Sequence, residues 1–213
     1  MVRTALSPIE SLRVAAASND LARESQLPGY RSYVQAQLRH TMAKANKDAS
    51  FRLRPYIDSV KAHGEGLNAD SSILCVGSRN EIELDIFAEN GFRNVTAIDL
   101  WSTSPRLLRR DMHDMGFDES TFDLVFASHS FEHSYDFRTV ASECTRVLRD
   151  GGYVFCAVPV DYETDAHDRY DFKDAQTLLS FFPGRTELVF EEKHVYDAST
   201  SEMEMMFRVH KPG

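Results

Sequence analysis

Residues 71–100 read SSILCVGSRNEIELDIFAENGFRNVTAIDL and switch twice between strand-like and helix-like patterns. The run SSILCVG is short and apolar throughout, which is typical of a buried parallel strand. The run NEIELDIFAENG predicts a helix with Ile82, Ile86 and Phe87 facing inward and Gly91 at its end. The run NVTAIDL then predicts a second strand. Strand, helix and strand in this order predict neighbouring parallel strands joined by a helical crossover.

The same alternation continues to the end of the sequence. A short third strand is predicted within residues 107–110, and FDLVFAS and YVFCAVP predict the fourth and fifth strands. Between them, DFRTVASECTRVLRD predicts a helix that Gly151 and Gly152 end, and DFKDAQTLLSFF predicts another. Two longer strands, RTELVFEEKHVY and EMEMMFRVHK, follow, and the second alternates as an antiparallel strand does. The sequence therefore predicts an α/β protein with a doubly wound sheet covered on both faces.

The first seventy residues have helical periodicity instead. A capping box with proline at the first helical position occupies residues 7–10. Two apolar stripes at helical spacing follow. They consist of Tyr30, Val34, Leu38, Met42 and Ala45, and of Leu53, Tyr56, Ile57 and Val60. We therefore predict two units, an N-terminal helical cap or lid over residues 1–68 and a nucleotide-binding domain over residues 69–213.

Composition limits the classes of function. The 213 residues carry a net charge of −9, which argues against general binding to nucleic acid. The first 70 residues carry +3 and the rest −12, an asymmetry typical of two parts that pack on each other. No apolar run approaches a membrane span and no secretory signal is recognisable. Cys75, Cys144 and Cys156 are expected to be buried reduced thiols, and a cytoplasmic location is expected.

The ends of the predicted strands carry the candidate site, because ligands of such sheets bind outside the carboxyl ends of the strands. Gly77, Ser78 and Arg79 follow the first strand, and Gly77 allows a ligand to approach the backbone closely. Asp99 follows the second strand about twenty residues downstream, which suits two ribose hydroxyls. Asp99 is also suited to capping a turn, and Arg79 either to binding a ligand carboxylate or to starting a solvated helix.

The stretch HSFEH at residues 129–133 has the spacing of a class of zinc peptidases. Zinc binding requires both histidines on one helical face. Because His129 directly follows the strand FDLVFAS, the alternative of a strand end followed by a short helix start fits both flanks. We therefore predict no metal site, with His129 facing the cleft and His133 beginning the next helix. Each is a candidate general base or a polar cleft residue.

Three further motifs, taken with these strand ends, indicate a family. They are DMHDMGF at residues 111–117, FDLV at residues 122–125 and RVLRDGG at residues 146–152. This ordered set resembles the class I S-adenosylmethionine (SAM)-dependent methyltransferases, in particular the small-molecule branch often called type 11. The resemblance implies a Rossmann-like seven-stranded sheet with the last strand antiparallel, and SAM as the cofactor. The sequence departs from the family's first motif at Cys75, Arg79 and Glu81.

The resemblance also implies roles for individual residues. Gly77 and its neighbours Ser78 and Arg79 would line the methionine part of SAM, and Asp99 would bind the ribose hydroxyls. Leu100 would cover one face of the adenine. Asp111 would accept a hydrogen bond from the adenine amino group beside the backbone N–H of Met112. At the end of the fourth strand, Ser128 and His129 would face the sulfonium.

Residues that contact the substrate are expected in two places, the loop after the fifth strand and the N-terminal lid. The loop VDYETDAHDRYDF after the fifth strand supplies the substrate-contact candidates Asp161, Tyr162, His167 and Tyr170. Tyr162 is also a candidate catalytic residue with His129 and His133. The alternative is an acidic loop exposed to solvent. Tyr30 and Tyr33 are the lid residues expected near the sulfonium, since an aromatic ring packs well on a cation.

These observations predict a SAM-dependent methyltransferase that methylates an O or N atom of a small molecule, in a biosynthetic role. One alternative is a different SAM-consuming reaction on the same fold, an intramolecular cyclase or lyase that releases methylthioadenosine. A second is a non-catalytic domain that binds SAM or a protein partner. The expected partner is a small-molecule substrate, without nucleic acid or membrane. The sequence leaves open whether the protein is a monomer or a homodimer.

Overall fold

The computed structural model describes residues 29–197 and 200–213. The helices are α1 (Tyr30–Ala43), α2 (Ser50–His63), α3 (Ile82–Glu89), α4 (Phe137–Val147) and α5 (Ala175–Leu179). The strands are β1 (Ser72–Val76), β2 (Asn94–Asp99), β3 (Leu108–Arg109), β4 (Phe122–Ser128), β5 (Leu148–Val160), β6 (Arg185–Asp197) and β7 (Thr200–His210). The predicted capping box at residues 7–10 lies outside the described residues.

The strands form one seven-stranded sheet in the order β3-β2-β1-β4-β5-β7-β6. Neighbouring strands from β3 to β5 are parallel, whereas β7 runs antiparallel to both β5 and β6. The predicted Rossmann-like sheet with an antiparallel last strand is therefore confirmed. Its strand order reverses between β1 and β4, and a crevice opens at such a switch point because the crossovers leave in opposite directions.

Two hydrophobic clusters cover opposite faces of the sheet. Along β4, Leu124 and Phe126 belong to one cluster while Val125 and Ala127 belong to the other, as the two-residue period of a strand requires. One cluster includes buried side chains of α4 and α5, and the other includes buried side chains of α2 and α3. All four residues of the second predicted stripe on α2 are buried in it. Helix α2 therefore covers the sheet itself.

Helix α1 packs elsewhere. Its buried residues Tyr30, Tyr33 and Val34 form a small third cluster with Tyr135. The predicted stripe does not continue to the end of this helix, because Met42 is 53 % exposed. Of the helices described, only α1 thus has the position expected of a cap. The division of the chain at residues 68 and 69 stays a prediction.

Two predicted helices were too long. Helix α4 ends at Val147, and β5 begins at Leu148, which pairs with Phe122 of β4. Gly151 and Gly152 therefore lie within a strand and do not end the helix. Helix α5 has only five residues, starting after Asp174, whose side chain accepts a hydrogen bond from the backbone N–H of Thr177.

The structure also bears on the predictions about the cysteines and the alternation of the last strand. Cys75, Cys144 and Cys156 are buried and unpaired, as expected. In β7, alternate residues from Met203 to Val209 are buried against the α4 and α5 side, which confirms the predicted alternation. No helix within the described residues combines the length and apolar character needed to cross a bilayer.

Candidate functional site

A cleft opens at the carboxyl ends of β1, β2 and β4, at the switch point of the sheet. Helix α1 lies across it. The lining residues are Tyr33, Gln37, His40 and Thr41 of α1, and Val76, Gly77, Arg79, Ile98, Asp99, Leu100, Arg110, Met112, His129, Ser130 and His133. Most of the cofactor residues predicted from sequence, from Gly77 to His129, are therefore brought to one cavity.

The turn after β1 follows the geometry of a glycine-rich loop although it contains only one glycine. Gly77 has φ +79°, and a Cβ there would lie 2.5 Å from the Cβ of Ser130. Ser130 is held against the turn because its hydroxyl donates to the carbonyl of Val76 at 2.8 Å. Arg79 has φ +55°, a left-handed conformation that glycine usually adopts. The departure from the family's first motif at Arg79 therefore leaves a left-handed turn in place.

Asp99 at the end of β2 is nearly buried, with 8 % of its surface exposed. Its two oxygens accept backbone hydrogen bonds from Arg79 at 2.9 Å and from Trp101 at 3.0 Å. Burial raises the pKa of Asp99, and these two hydrogen bonds oppose the rise. A carboxylate has about four acceptor sites, of which the backbone takes two. Asp99 thus caps the turn and keeps acceptor capacity toward the cleft, so both roles considered from the sequence are compatible.

Asp111 is enclosed by its neighbours and is absent from the cleft lining. Its Oδ1 accepts from the backbone N–H of His113 at 2.8 Å and lies 2.6 Å from Nδ1 of the same residue. Its Oδ2 accepts from the hydroxyl of Tyr30 on α1. Burial alone would raise the pKa of Asp111, but these hydrogen bonds outweigh it and lower the value to about 2. The adenine contact predicted for Asp111 stays a prediction.

His113 was not among the residues predicted from sequence, although the motif DMHDMGF contains it. Its Nε2 accepts backbone hydrogen bonds from Tyr135 at 3.0 Å and Asp136 at 3.2 Å. Because Nε2 accepts, Nδ1 carries the proton that faces Asp111. The rings of Tyr30 and Tyr33 meet the His113 ring edge-on, with centroids 5.5 and 5.8 Å away. His113, in the loop after β3, therefore holds the first turn of α1 in place.

His129 follows β4 in a left-handed conformation, with φ +49°. Its Nε2 lies 2.7 Å from Oε2 of Glu202 on β7, and Oε1 of Glu202 accepts from the hydroxyl of Tyr56 at 2.6 Å. Burial would raise the pKa of Glu202, but hydrogen bonds from His129 and Tyr56 lower it below its usual range. The ionised Glu202 requires a proton on Nε2 of His129. Nδ1 of the imidazole is then the nitrogen with a free lone pair.

Glu202 was also missed by the sequence reasoning. The signal was present in EMEMMFRVHK, where Glu202 and Glu204 alternate with the apolar residues of a strand. Both glutamates are nearly fully buried, on the side of the sheet that α2 covers. Buried carboxylates are rare and usually paired, so an acidic residue at an interior position of a strand is itself a site indicator.

His133 lies on a one-turn 3₁₀-helix (Phe131–His133) and is held by carboxylates. Its Nδ1 is 2.8 Å from Oδ1 of Asp168, and its Nε2 is 3.8 Å from Oε1 of Glu132. Burial would lower the pKa of His133, but the charges of Glu132 and Asp168 outweigh it and raise the value. The imidazolium form of His133 is therefore favoured, which suits a hydrogen-bond donor better than a base.

The remaining predicted residues are more scattered. Tyr162 lies outside the cleft lining, and its hydroxyl donates to the carbonyl of Tyr170 at 2.6 Å. Tyr170 stacks on Phe172 within the core, and Asp161 pairs with Lys193 at the surface. The ring of His167 packs at a tilt against that of His40 of α1, with ring centroids 4.9 Å apart. Ser78 is buried beside the glycine turn with its hydroxyl unpartnered among the described residues, and Ser128 ends β4 without lining the cleft.

The two histidines of HSFEH pair with different carboxylates, His129 with Glu202 and His133 with Asp168, and both also lie within 4 Å of Oε1 of Glu132. Across residues 29–197 and 200–213, no group of three or more histidine, cysteine, aspartate or glutamate side chains is arranged to hold a metal ion. The string therefore forms a strand end and a short helical turn, as its flanks predicted.

Comparison with known proteins supports the family resemblance. A family described as "Methyltransferase domain" matches residues 74–156. The fold is similar to that of the N1-methyltransferase of Burkholderia thailandensis solved with 1,6-didemethyltoxoflavin and S-adenosylhomocysteine. That structure has 18 % identity and a TM-score of 0.58, and the match covers 99 % of this chain and 94 % of the other. A search among curated proteins found no significant match.

Two further structures show the range of chemistry on this fold. The cyclase SpnF has 14 % identity and a TM-score of 0.60, with 75 % of this chain and 81 % of SpnF covered. The geranyl diphosphate C-methyltransferase of Streptomyces coelicolor has 13 % identity and a TM-score of 0.57, with 71 % and 75 % covered. The chain thus has the fold of class I SAM-dependent methyltransferases and carries their domain signature over residues 74–156.

Proposed function

We propose that this protein binds SAM in the cleft described above and transfers the methyl group to a small molecule. The observation that carries the proposal is the convergence of Gly77, Asp99 and Met112 on one cavity that His129 also lines. Gly77 leaves room for a ligand at the backbone, and Asp99 keeps acceptor capacity for ribose hydroxyls. These features fit the nucleoside part of SAM.

The methionine part has matching groups. Arg79 lines the cleft and forms no ion pair within the described part of the chain, so its guanidinium is available for a carboxylate. The hydroxyl of Ser78, which has no partner among the described residues, lies in the same turn. When bound, SAM supplies an electrophilic methyl group on a positively charged sulfur. The residues of the chain then have three tasks, which are to align the acceptor, exclude water and manage the proton of the acceptor.

His129 is the residue best suited to the proton. With Nε2–H donating to Glu202, the lone pair of Nδ1 is available to take a proton from an acceptor hydroxyl. The imidazolium formed would be stabilised by Glu202 at 2.7 Å and by Glu132, whose Oε1 is 3.7 Å from Nδ1. In this arrangement Glu202 is a positioning residue, which fixes the tautomer and the orientation of the ring, as carboxylates paired with histidine do elsewhere.

Helix α1 is proposed to close the cleft. Tyr33, Gln37 and His40 of this helix line it, and Nε2 of Gln37 donates to the carbonyl of His167 at 3.2 Å in the loop after β5. The helix therefore connects the cofactor side to the loop that carries the substrate-contact candidates. A helix in this position excludes water from the sulfonium during transfer.

A second candidate is the intramolecular reaction of SAM that releases methylthioadenosine. The structural neighbour SpnF, described as a [4+2]-cyclase, shows only that the fold is not restricted to methyl transfer. A single product analysis separates the candidates. The protein is incubated with SAM and the extract of its source cells, and the nucleoside product is identified by mass spectrometry. S-Adenosylhomocysteine supports methyl transfer, methylthioadenosine supports an intramolecular reaction, and SAM binding without any product supports a binding domain.

The role of Glu202 has its own test. We expect Glu202→Gln to lower kcat by about 10- to 100-fold with little change in KM for SAM, because the glutamine no longer stabilises the imidazolium. Glu204→Gln is the matched control, since Glu204 is buried on the same strand and same face but contacts His194. Equal loss of activity in Glu202→Gln and Glu204→Gln would show that Glu202 has only a structural role.

A further inference from the structure

Arg52, in the first turn of α2, is absent from the lining of the cleft. Its Nη1 is 3.2 Å from Nε2 of His129. That nitrogen already carries the proton donated to Glu202, so it cannot accept a hydrogen bond from Arg52. The Nε of Arg52 is shielded from solvent and has no acceptor within the described residues.

Among the described residues, the guanidinium of Arg52 therefore makes no direct ion pair. Glu202 is near enough for the charge of Arg52 to lower the pKa of this glutamate, but the two form no ion pair within 4.0 Å. Unsatisfied donors at a partly buried charge are costly, and they are retained mainly where a ligand completes them. A planar oxyanion is the ligand that suits a guanidinium best.

The surrounding charges favour an anion as well. Burial, with the positive charges of Arg79, Lys47 and Arg52, lowers the pKa of Lys44, which follows α1. Arg79, Lys47 and Arg52 thus all lie close enough to Lys44 for their charges to act on it, in a protein whose net charge is −9. The acidic groups that face them are already engaged, Glu202 with Tyr56 and His129, and Asp168 with His133.

One exposed aromatic ring adjoins the Arg52 guanidinium, and a second exposed aromatic residue lies in the same region. The Phe51 ring centroid is 5.7 Å from the Arg52 guanidinium carbon, and 71 % of Phe51 is exposed. Tyr196 on β6 is 61 % exposed. Burial and the charge of Glu202 raise the pKa of Tyr196, and the charge of Arg52 lowers it, so Tyr196 lies close to both charged groups. Large exposed aromatics beside an unpaired cation are typical of a surface that binds a flat ligand.

We propose that the methyl acceptor is a small aromatic carboxylic acid, whose carboxylate binds Arg52 and whose ring lies against Phe51 and Tyr196. This inference rests on the proposed methyl transfer and names its substrate class. An anion on Arg52 lies next to His129, because Nη1 of Arg52 and Nε2 of His129 are 3.2 Å apart. The hydroxyl or amino group of such an acceptor is then within reach of the residue proposed to take its proton.

The test compares acids with matched neutral compounds. The full-length protein and SAM are incubated with the three hydroxybenzoates and three aminobenzoates, and separately with the corresponding benzamides. S-Adenosylhomocysteine formation is the readout. We expect at least one acid to react, and to react at least about tenfold faster than its amide, because the amide lacks the charge that Arg52 requires. Preference for amides, or turnover of neither series, overturns the inference.

Variants then assign the preference to Arg52. Arg52→Gln is expected to remove the preference for acids and to leave the Kd for SAM within about twofold, whereas Arg52→Lys retains part of it. Arg54→Gln is the control, because Arg54 is on the same helix but pairs with Glu89 at the surface. Loss of SAM binding in Arg52→Gln would assign Arg52 to the cofactor and overturn the inference. Formation of methylthioadenosine would instead refute the proposed methyl transfer.

Discussion

Substituting Gly77 by alanine tests the geometry of the turn that begins the proposed SAM site. The backbone of Gly77 has φ +79°, where an alanine is strained by about 1–2 kcal/mol. In addition, its Cβ would lie 2.5 Å from the Cβ of Ser130, which is closer than real Cβ atoms approach. Relieving that overlap requires a shift of the turn or of the β4 end, at a further cost of about 1–3 kcal/mol.

Gly91 provides a matched control for the backbone strain. Its φ of +90° is similar, but a Cβ there meets no atom within 4 Å. Gly91→Ala should therefore show the strain alone. We expect Gly77→Ala to be less stable than Gly91→Ala by about 1–3 kcal/mol, which is the part due to the contact with Ser130.

Urea unfolding of both variants measures this difference in the free energy of unfolding, and calorimetry measures SAM binding. Because the turn must move in Gly77→Ala, its affinity for SAM is expected to fall, while that of Gly91→Ala is expected to stay unchanged. The double variant Gly77→Ala/Ser130→Gly should recover part of the lost stability. Equal destabilisation by the two alanines, or no recovery in the double variant, would refute the reasoning from the Ser130 contact.

Four further predictions concern the same site. Asp99→Ala should weaken SAM binding by about 2–4 kcal/mol, because the hydrogen bonds to the ribose hydroxyls are lost. Unchanged affinity of a folded variant in calorimetry would show that Asp99 does not bind SAM. Burial, with Lys44 and the neighbouring histidines, lowers the pKa of His40 from 6.5 to about 4, so the unfolded chain binds more protons between these values. Stability should therefore rise with pH across this window, and His40→Gln should flatten that slope in unfolding experiments. SAM with a bound acceptor should protect α1 from hydrogen exchange more than β6 and β7, and equal protection would contradict its role as a lid. Protein purified without added metal should contain far less than one equivalent of zinc, and stoichiometric zinc lost in His129→Ala would contradict the interpretation of HSFEH.

The sheet was predictable from sequence because each strand and helix carries its own period. The runs SSILCVG, NVTAIDL and FDLVFAS correspond to β1, β2 and β4 within a residue or two. The strand ends then predicted the cleft residues Gly77, Asp99 and His129. Helix ends were less predictable. The residues from Leu148 continue the apolar pattern of α4, and only pairing with β4 determines that they form a strand.

The residues of the proposed acceptor side were not predictable, because they are distant in sequence and meet only in the fold. Arg52, His129 and Glu202 come from α2, the end of β4 and β7, and none of them has a local pattern that points to the others. Tyr30 and Asp111 are 81 residues apart, and their hydrogen bond depends on how α1 crosses the cleft. Local periodicity predicts elements, whereas such contacts require knowledge of packing.

The position of β7 between β5 and β6 has a consequence for the order of assembly. Strand β6 precedes β7 in the chain, yet it touches the sheet only through β7, so it has no partner until the hairpin forms. Before the hairpin docks, the long apolar edge of β5 is open from Gly152 to Val160. An open edge of this kind can pair with a second chain, so slow docking of the hairpin favours aggregation over folding. The yield of refolding should therefore depend on protein concentration more strongly than the stability of the folded protein does.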